Sequence, residues 1–201
     1  MKTLIVTSSP MLERSYTNQL ADFVAKNVTG TVEKLDLSAV ELPFMTQEIL
    51  GINYGKVALD QASAEGQRLH TLRLQYVEQL LSADQLVIAT PMWNFSVPAC
   101  LKAWIDLVVY AGKTFAYTDK APVGLVKNIK VAYVLSSRGG HYSSGPMAAM
   151  NHESEYLKSV LGFIGIKNIH VFALEGTASE GPEKTAQNLD QVKQSLATAL
   201  A

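Results

Sequence analysis

Short apolar runs alternate along this chain with longer stretches of helical period. Residues 3–7 form a β-branched run, apolar on both faces, as in a strand covered on both sides of a parallel sheet. Residues 16–28 place Leu20, Phe23, Val24 and Asn27 at helical spacing, with Ser15 at the N-cap position and a glycine stop behind. Residues 32–37 alternate and predict a second strand. Residues 62–82 predict a long helix with Leu69, Leu72, Val77, Leu80 and Leu81 towards the core. Residues 85–90 predict a third, buried strand. Residues 98–110 predict a helix whose Leu101, Ala103, Trp104, Ile105, Leu107, Val108, Val109 and Tyr110 point nearly all round it. Such a helix is either covered by its own domain or buried against another chain. Residues 130–136 and 169–174 predict the fourth and fifth strands; residues 151–163 and 183–199 predict helices. Two stretches resist this reading. Residues 38–60 are irregular yet too apolar for a solvated linker, with Pro43, Phe44, Met45, Ile52 and Tyr54, and are a candidate cover for a site. Residues 112–127 are a long excursion holding Phe115, Tyr117, Pro122 and Gly124.

Five strand–helix alternations imply a parallel sheet sandwiched by helices, with right-handed crossovers. Five strands favour the flavodoxin-like order 2-1-3-4-5, whose switch point lies between strands 1 and 3. No repeat, low-complexity segment or boundary interrupts residues 1–201, so a single domain is expected. A net charge of −1 supplies no electrostatic attraction to nucleic acid or an anionic membrane. Cys100 is the only cysteine, which excludes an intramolecular disulfide and a thiolate zinc cluster and fits a reducing compartment. The apolar run at the N-terminus is too short for a signal peptide, and no stretch reaches the ~18 apolar residues of a membrane span. A cytoplasmic protein is expected.

Chemistry concentrates in three loops that such a sheet brings to one end. The loop after strand 1 offers hydroxyls from Ser9, Ser15 and Thr17 and opens a helix, whose free N–H groups and positive dipole end suit a phosphate monoester. The loop after strand 3 is Pro91-Met92-Trp93-Asn94-Phe95. It has no glycine run and no lysine; it presents flat apolar surface and one amide, a seat for a flat heterocycle with polar edges. The loop after strand 4 is Ser137-Arg138-Gly139-Gly140, where paired glycines allow close backbone approach to a ligand. Taken singly, each has an ordinary reading: a capping serine, a packed aromatic turn, a plain turn. Together, a phosphate end at strand 1 and a heterocycle seat between strands 3 and 4 describe FMN. Neither G-x-G-x-x-G nor G-x-x-x-x-G-K-[ST] occurs, which argues against a Rossmann nicotinamide site and a nucleoside-triphosphate site.

The sequence resembles the FMN-dependent NADH-azoreductase family, which belongs with the flavodoxin-like quinone reductases. The likeness is carried by Ser8-Ser9, by Ser15-Tyr16-Thr17-Asn18-Gln19-Leu20, by Pro91-Met92-Trp93-Asn94-Phe95 and by Ser137-Arg138-Gly139-Gly140. It extends through Leu101-Lys102, Asp106-Leu107-Val108, Ala111-Gly112, Thr114-Phe115, Tyr117-Thr118 and Leu161-Gly162-Phe163-Ile164-Gly165. The resemblance implies that Ser9, Ser15, Tyr16 and Thr17 hold the phosphate and ribityl end. It implies that Met92, Trp93, Asn94, Phe95, Ser137, Arg138, Gly139 and Gly140 line the isoalloxazine, and that Tyr117 and Phe163 fall near the substrate pocket. It further implies a homodimer with one FMN per subunit, NADH as donor, and ping-pong reduction of quinones or aromatic azo compounds. Trp93, where tyrosine is frequent in the family, and Tyr16 in the phosphate loop are departures; the larger Trp93 alters a pocket wall.

No side chain is obliged to act as acid or base. His141, beside the glycine loop, is a candidate proton donor on its ordinary pKa, and a surface histidine otherwise. Arg138 reads as a structural ion-pair or hydrogen-bonding residue. Cys100 reads as packing, Lys102 and Asp106 as a helix pair, and His70, His152 and His170 as structural, since they lack metal-ligand spacing. Two rival functions are a flavodoxin-type electron carrier, for which net charge −1 is a poor steering charge, and a serine hydrolase, for which G-x-S-x-G is missing.

Overall fold

A computed structural model of the protein describes residues 1–201. The chain runs β1 (Lys2–Thr7), α1 (Tyr16–Asn27), β2 (Thr31–Asp36), α2 (Gln47–Asn53), α3 (Ala64–Leu81), β3 (Gln85–Pro91) and α4 (Ala99–Val108). It continues through β4 (Phe115–Ala116), β5 (Val123–Gly124), β6 (Val131–Ser137), α5 (His152–Ile164), β7 (Ile169–Leu174) and α6 (Pro182–Leu200). Five strands pair in parallel in the order β2-β1-β3-β6-β7. With the two-residue strands β4 and β5 set apart, this is the expected 2-1-3-4-5 order.

Alternation along the central strands builds two cores. Leu4, Val6, Leu86, Ile88, Ala132 and Val134 face α3, α4 and α5, whereas Ile5, Val87, Ala89, Tyr133 and Leu135 face α1 and α6. Each fully buried aliphatic side chain contributes about 1.5–3 kcal/mol by leaving water. Polar groups are therefore driven to the strand ends, and the loops at the carboxyl ends of β1, β3 and β6 lie side by side.

The nearly all-apolar α4 is covered by its own chain: Leu101, Ala103, Trp104, Ile105, Leu107 and Val108 are buried. Lys102 and Asp106 pair on the outer face at 2.7 Å, as expected for i, i+4 neighbours. This helix accordingly supplies no argument for a second copy. Cys100 is half-buried against the core, its Sγ 3.5 Å from the Ser8 carbonyl. His70 is buried on α3, and His152 and His170 are exposed.

Three labelled elements lie inside the stretches that showed no period: α2, β4 and β5. α2 occupies part of residues 38–60, capped by Thr46, whose hydroxyl accepts from Ile49 N at 3.2 Å. Its seven residues are too few to display a helical stripe. The excursion of residues 112–127 folds into the β4–β5 ladder, which pairs Phe115 with Gly124 and Ala116 with Val123. Gly124 lies against the end of α5: an added Cβ would fall 2.2 Å from Gly165 N and 2.3 Å from the Ile164 carbonyl carbon. Val126 N donates to Ile164 O at 2.9 Å in the same seam. Gly124→Ala is expected to lower stability by about 1–3 kcal/mol, because backbone must move on both sides. Urea unfolding measures this as a lower midpoint; an unchanged midpoint would show that the seam yields freely.

Candidate functional site

The first loop is tied to the neighbouring strand by Ser8, whose N and Oγ donate to Ala89 O at 3.1 and 3.4 Å. Asn18 reaches back from α1 and donates through Nδ2 to Leu12 O at 3.1 Å, which bends the loop over the helix start. Leu12 itself takes the left-handed conformation at φ 49°. Ser15 caps α1: its Oγ accepts from Asn18 N at 3.3 Å and lies 2.9 Å from Thr17 Oγ1. Ser9, Ser15 and Thr17 are buried, and Tyr16 is half-buried. The N–H groups of Ser9, Tyr16 and Thr17 donate to nothing in the chain. No acidic side chain occupies the first turn of α1. Unpaired N–H groups, hydroxyls and an uncompensated dipole end form a seat for a phosphate monoester.

The second loop is a two-residue turn. Trp93 and Ser96 exchange reciprocal N–H···O bonds of 3.0 Å, and the residues between them, Asn94 and Phe95, lie at φ 49° and 69°. Two successive positive φ values mark a turn of the I′ kind. Asparagine tolerates that region; phenylalanine is strained there by about 1–3 kcal/mol. The reciprocal Trp93–Ser96 bonds hold the turn against that strain, and Trp93, Asn94 and Phe95 are exposed. Phe95 O accepts from His152 N at 3.1 Å, so the start of α5 steadies the turn.

The third loop is joined to the second through Met92 N, which donates to Ser137 O at 2.9 Å. Its anchor is Arg138, fully buried. The guanidinium donates to Ser136 Oγ (3.1 Å), Glu153 Oε2 (3.2 Å), Ser143 Oγ (3.2 Å), Glu175 Oε1 (3.1 Å) and Ser154 Oγ. Glu175 Oε1 also accepts from Tyr142 N and Ser143 N at 2.7 and 2.9 Å, so one carboxylate closes the loop around the arginine. With this frame fixed, Gly139 and Gly140 turn their carbonyls inward, to Ala178 N (3.0 Å) and Gly176 N (3.2 Å) respectively, and leave their own N–H groups without partners. A Cβ at Gly139 would come within 3.3 Å of Ala178, and one at Gly140 within 3.3 Å of the Tyr142 ring. The loop is thus closely packed at both glycines and offers two free donors to an electron-rich edge.

Tyr117 and Phe163 flank the buried ring of Phe115, with centroids 5.2 and 4.7 Å from it. They do not meet the Met92–Phe95 turn in this chain. The start of α5 touches Phe95, and Phe163 lies about three turns further on, roughly 16 Å along the axis at ~1.5 Å per residue. His141 is turned to Glu180, its Nε2 3.2 Å from Oε1, and lines a groove between β7 and α6 with Val171 and Phe172. The larger grooves also lie elsewhere. One of about 860 Å³ runs beside Leu12, Asn18 and Asp36, and one of about 900 Å³ lies between α2 and α3. Neither is lined by the aromatic turn, which is an open face. Sequence reading did not single out Glu153 or Glu175; each looked like an ordinary polar residue at an element end.

A family model described as having a flavodoxin-like fold matches residues 1–200. The chain is 41% identical to an FMN-dependent NADH:quinone oxidoreductase of Legionella pneumophila, spanning 96% of this chain and 94% of that protein. The chain belongs to this flavodoxin-like family. A second flavodoxin-like relative, an FMN-dependent NADH:quinone oxidoreductase of Hydrogenovibrio crunogenus, is 36% identical over 98% of both chains. Among solved structures, an azoreductase from Bacillus anthracis superposes with a TM-score of 0.90 at 30% identity, covering 100% of this chain and 98% of that one. An FMN-dependent NADH-azoreductase from the same species, in complex with FMN, gives 0.88 at 26% identity over 100% and 99%.

Within this flavodoxin-like frame Glu153 is altered by its surroundings. Burial pushes its carboxyl up from the ordinary value, and hydrogen bonds from Ser136 and Arg138 recover only part of the shift. The folded protein therefore binds this proton more tightly than the unfolded chain does. Its contribution is full below the unfolded carboxyl's pKa and is lost as pH rises through the folded value. Urea titrations of wild type and Glu153→Gln from about pH 4 to about pH 8 are expected to show the wild type losing stability relative to the variant as pH rises. A pH-independent difference would contradict the raised value.

Proposed function

We propose that the protein is an FMN-dependent NAD(P)H oxidoreductase that reduces quinones and aromatic azo compounds, with NADH as donor. The observation that carries this reading is the meeting, at one end of the sheet, of unpaired N–H groups at α1, an outward aromatic turn and two free glycine N–H groups. That donor set fits FMN: anion seat, flat apolar support and polar ring-edge donors occur in the order its parts require. The names of the relatives at 41 and 36% identity support the enzyme over the carrier.

The redox chemistry itself, hydride uptake from NADH and delivery to the acceptor in ping-pong order, is what FMN supplies when bound. The chain's residues bind and orient. Ser9, Ser15, Tyr16 and Thr17 hold the phosphate end through hydroxyls and N–H groups. Met92, Trp93, Asn94 and Phe95 support the ring system. Ser137 and Arg138 set the loop whose Gly139 and Gly140 N–H groups would meet negative charge on a bound flavin, as donors in an oxyanion hole do. His141 faces Glu180 rather than the turn, so the proposal gives no step to it.

Residues 1–201 act here as a single FMN-binding domain. We further propose a homodimer. The aromatic turn is an open face, and Tyr117 and Phe163 sit too far from it to wall an acceptor pocket in their own subunit. A second copy places them there. Exposed Phe44, Tyr54, Tyr117 and Phe163 supply apolar surface for the contact. A sole cysteine suits the cytoplasm as the site of action, and no helix is long and apolar enough to cross a membrane.

Two measurements test this. Protein loaded with FMN and desalted is expected to keep its visible absorbance, lose it under anaerobic NADH and regain it with a quinone. Absorbance that NADH leaves untouched would favour the carrier. Ser15→Ala is expected to cost about 1 kcal/mol of stability as a lost N-cap and to weaken FMN binding about ten-fold, with riboflavin binding unchanged. Equal losses for both flavins would place the phosphate elsewhere.

A further inference from the structure

α3 carries an unusual core stripe. Gly66, His70, Arg73, Val77 and Leu80 recur at helical spacing and are all buried, so a cation occupies a position where an aliphatic residue is normal. The Arg73 side chain is only 3% exposed. Its Nε donates to Leu107 O at 2.8 Å and its Nη2 to Val109 O at 3.3 Å, two carbonyls at the negative end of α4. The guanidinium also lies 3.9 Å over the Tyr110 ring. No carboxylate pairs with it. The remaining nitrogen, Nη1, is buried and has no hydrogen-bond partner.

Arg73 lines a cavity of about 210 Å³ between α2, α3 and the end of α4. Asn53 lines the same cavity, and its Oδ1 is likewise buried and unpartnered. The one acidic residue on the wall, Asp106, has both oxygens taken by Lys102 at 2.7 Å. The rest of the lining is apolar and largely aromatic, with Leu50, Tyr54, Tyr110 and Phe115. A buried cation lacking an anion is costly, and a carboxylate meets a guanidinium with two parallel bonds. Aromatic walls favour a flat ring. An apolar cavity of about 150 Å³ accepts benzene, so this one has room for a ring and its acid group.

We propose that this cavity binds a single-ring aromatic monocarboxylate, with Arg73 and the Asn53 Nδ2 N–H, which donates to nothing in the chain, meeting the acid group and the ring between Tyr54 and Phe115. One cation selects a monoanion over a dianion. Because Phe115 also stacks on Phe163 and Tyr117, the occupied cavity backs the aromatic pair assigned above to the acceptor pocket. The site itself does not rest on that assignment and is read without flavin.

Benzoate, its neutral isostere benzamide, and chloride are the probes, each titrated up to about 10 mM against the purified full chain by calorimetry and by thermal melting. Benzoate is expected to bind saturably and raise the melting temperature, at least about ten-fold tighter than benzamide, with chloride giving no saturable effect. Leu50→Trp, at a half-exposed position on the wall, fills the cavity while leaving Arg73 in place, and is expected to abolish benzoate binding. Arg73→Gln is expected to abolish the preference for benzoate over benzamide. The proposal is overturned if benzoate does not saturate, if benzamide or chloride matches it, or if folded Leu50→Trp binds benzoate as the wild type does. Should Arg73→Gln fail to fold, Leu50→Trp and the benzamide comparison still decide.

Discussion

A parallel sheet covered on both faces constrains everything else in this molecule. Ile5 and Leu4 point to opposite cores, as do Val87 and Ile88, so a central strand has no solvent face on which to carry chemistry. Reactive and binding groups are confined to the strand ends. There, the chain leaves β1 and β3 for opposite faces of the sheet, and the loops are stitched by two bonds, Ser8 N to Ala89 O and Met92 N to Ser137 O. Those bonds continue the strand register into the loops. The distance from the phosphate seat to the ring seat is thus set by inter-strand spacing, and little of it depends on loop side chains.

That constraint explains why so much was legible in the sequence. The central strands β1, β3 and β6 read as short apolar runs because both faces are buried, the edge strand β2 reads as an alternating one, and the strand order follows from number and alternation. The three loops were legible because strand ends are where polar and glycine residues interrupt the pattern. What stayed hidden had no period to display. α2 has too few residues for a stripe, and β4 and β5 hold two residues each. The α4 pattern was ambiguous in principle: apolar residues all round a helix look the same whether the chain or a partner covers them, and here the chain does. The turn at Asn94 and Phe95 was found by composition, but its positive φ values were not readable, since phenylalanine gives no signal for that conformation.

Two buried arginines show how the same residue does different work under different company. Arg138 is ion-paired on both sides, and its partners carry no sequence signal, because Glu153 and Glu175 come from two other elements and are joined to it only by the fold. Two carboxylates and three hydroxyls satisfy it, and the glycine loop inherits a fixed shape. Arg73 sits at a core position of α3 with carbonyls and a ring for company and no counter-charge. A polar residue within a helical stripe is a signal the sequence does contain: Gly66, His70, Arg73, Val77 and Leu80 share one face.

The contrast has a consequence for how the site is held. A loop fixed by an arginine held between two carboxylates resists rearrangement, because breaking one member leaves a buried charge exposed to low dielectric. The wall around Phe115 lacks that protection; its neighbouring cation is incompletely satisfied, and the aromatic rings it backs are exposed at Tyr117 and Phe163. Under the proposed function, a rigid cofactor side and a looser acceptor side would suit an enzyme that keeps one flavin while exchanging chemically varied acceptors. The rigid half is built from strand ends and charge, the adaptable half from a short ladder and stacked rings, and the chain's order keeps the two on separate elements.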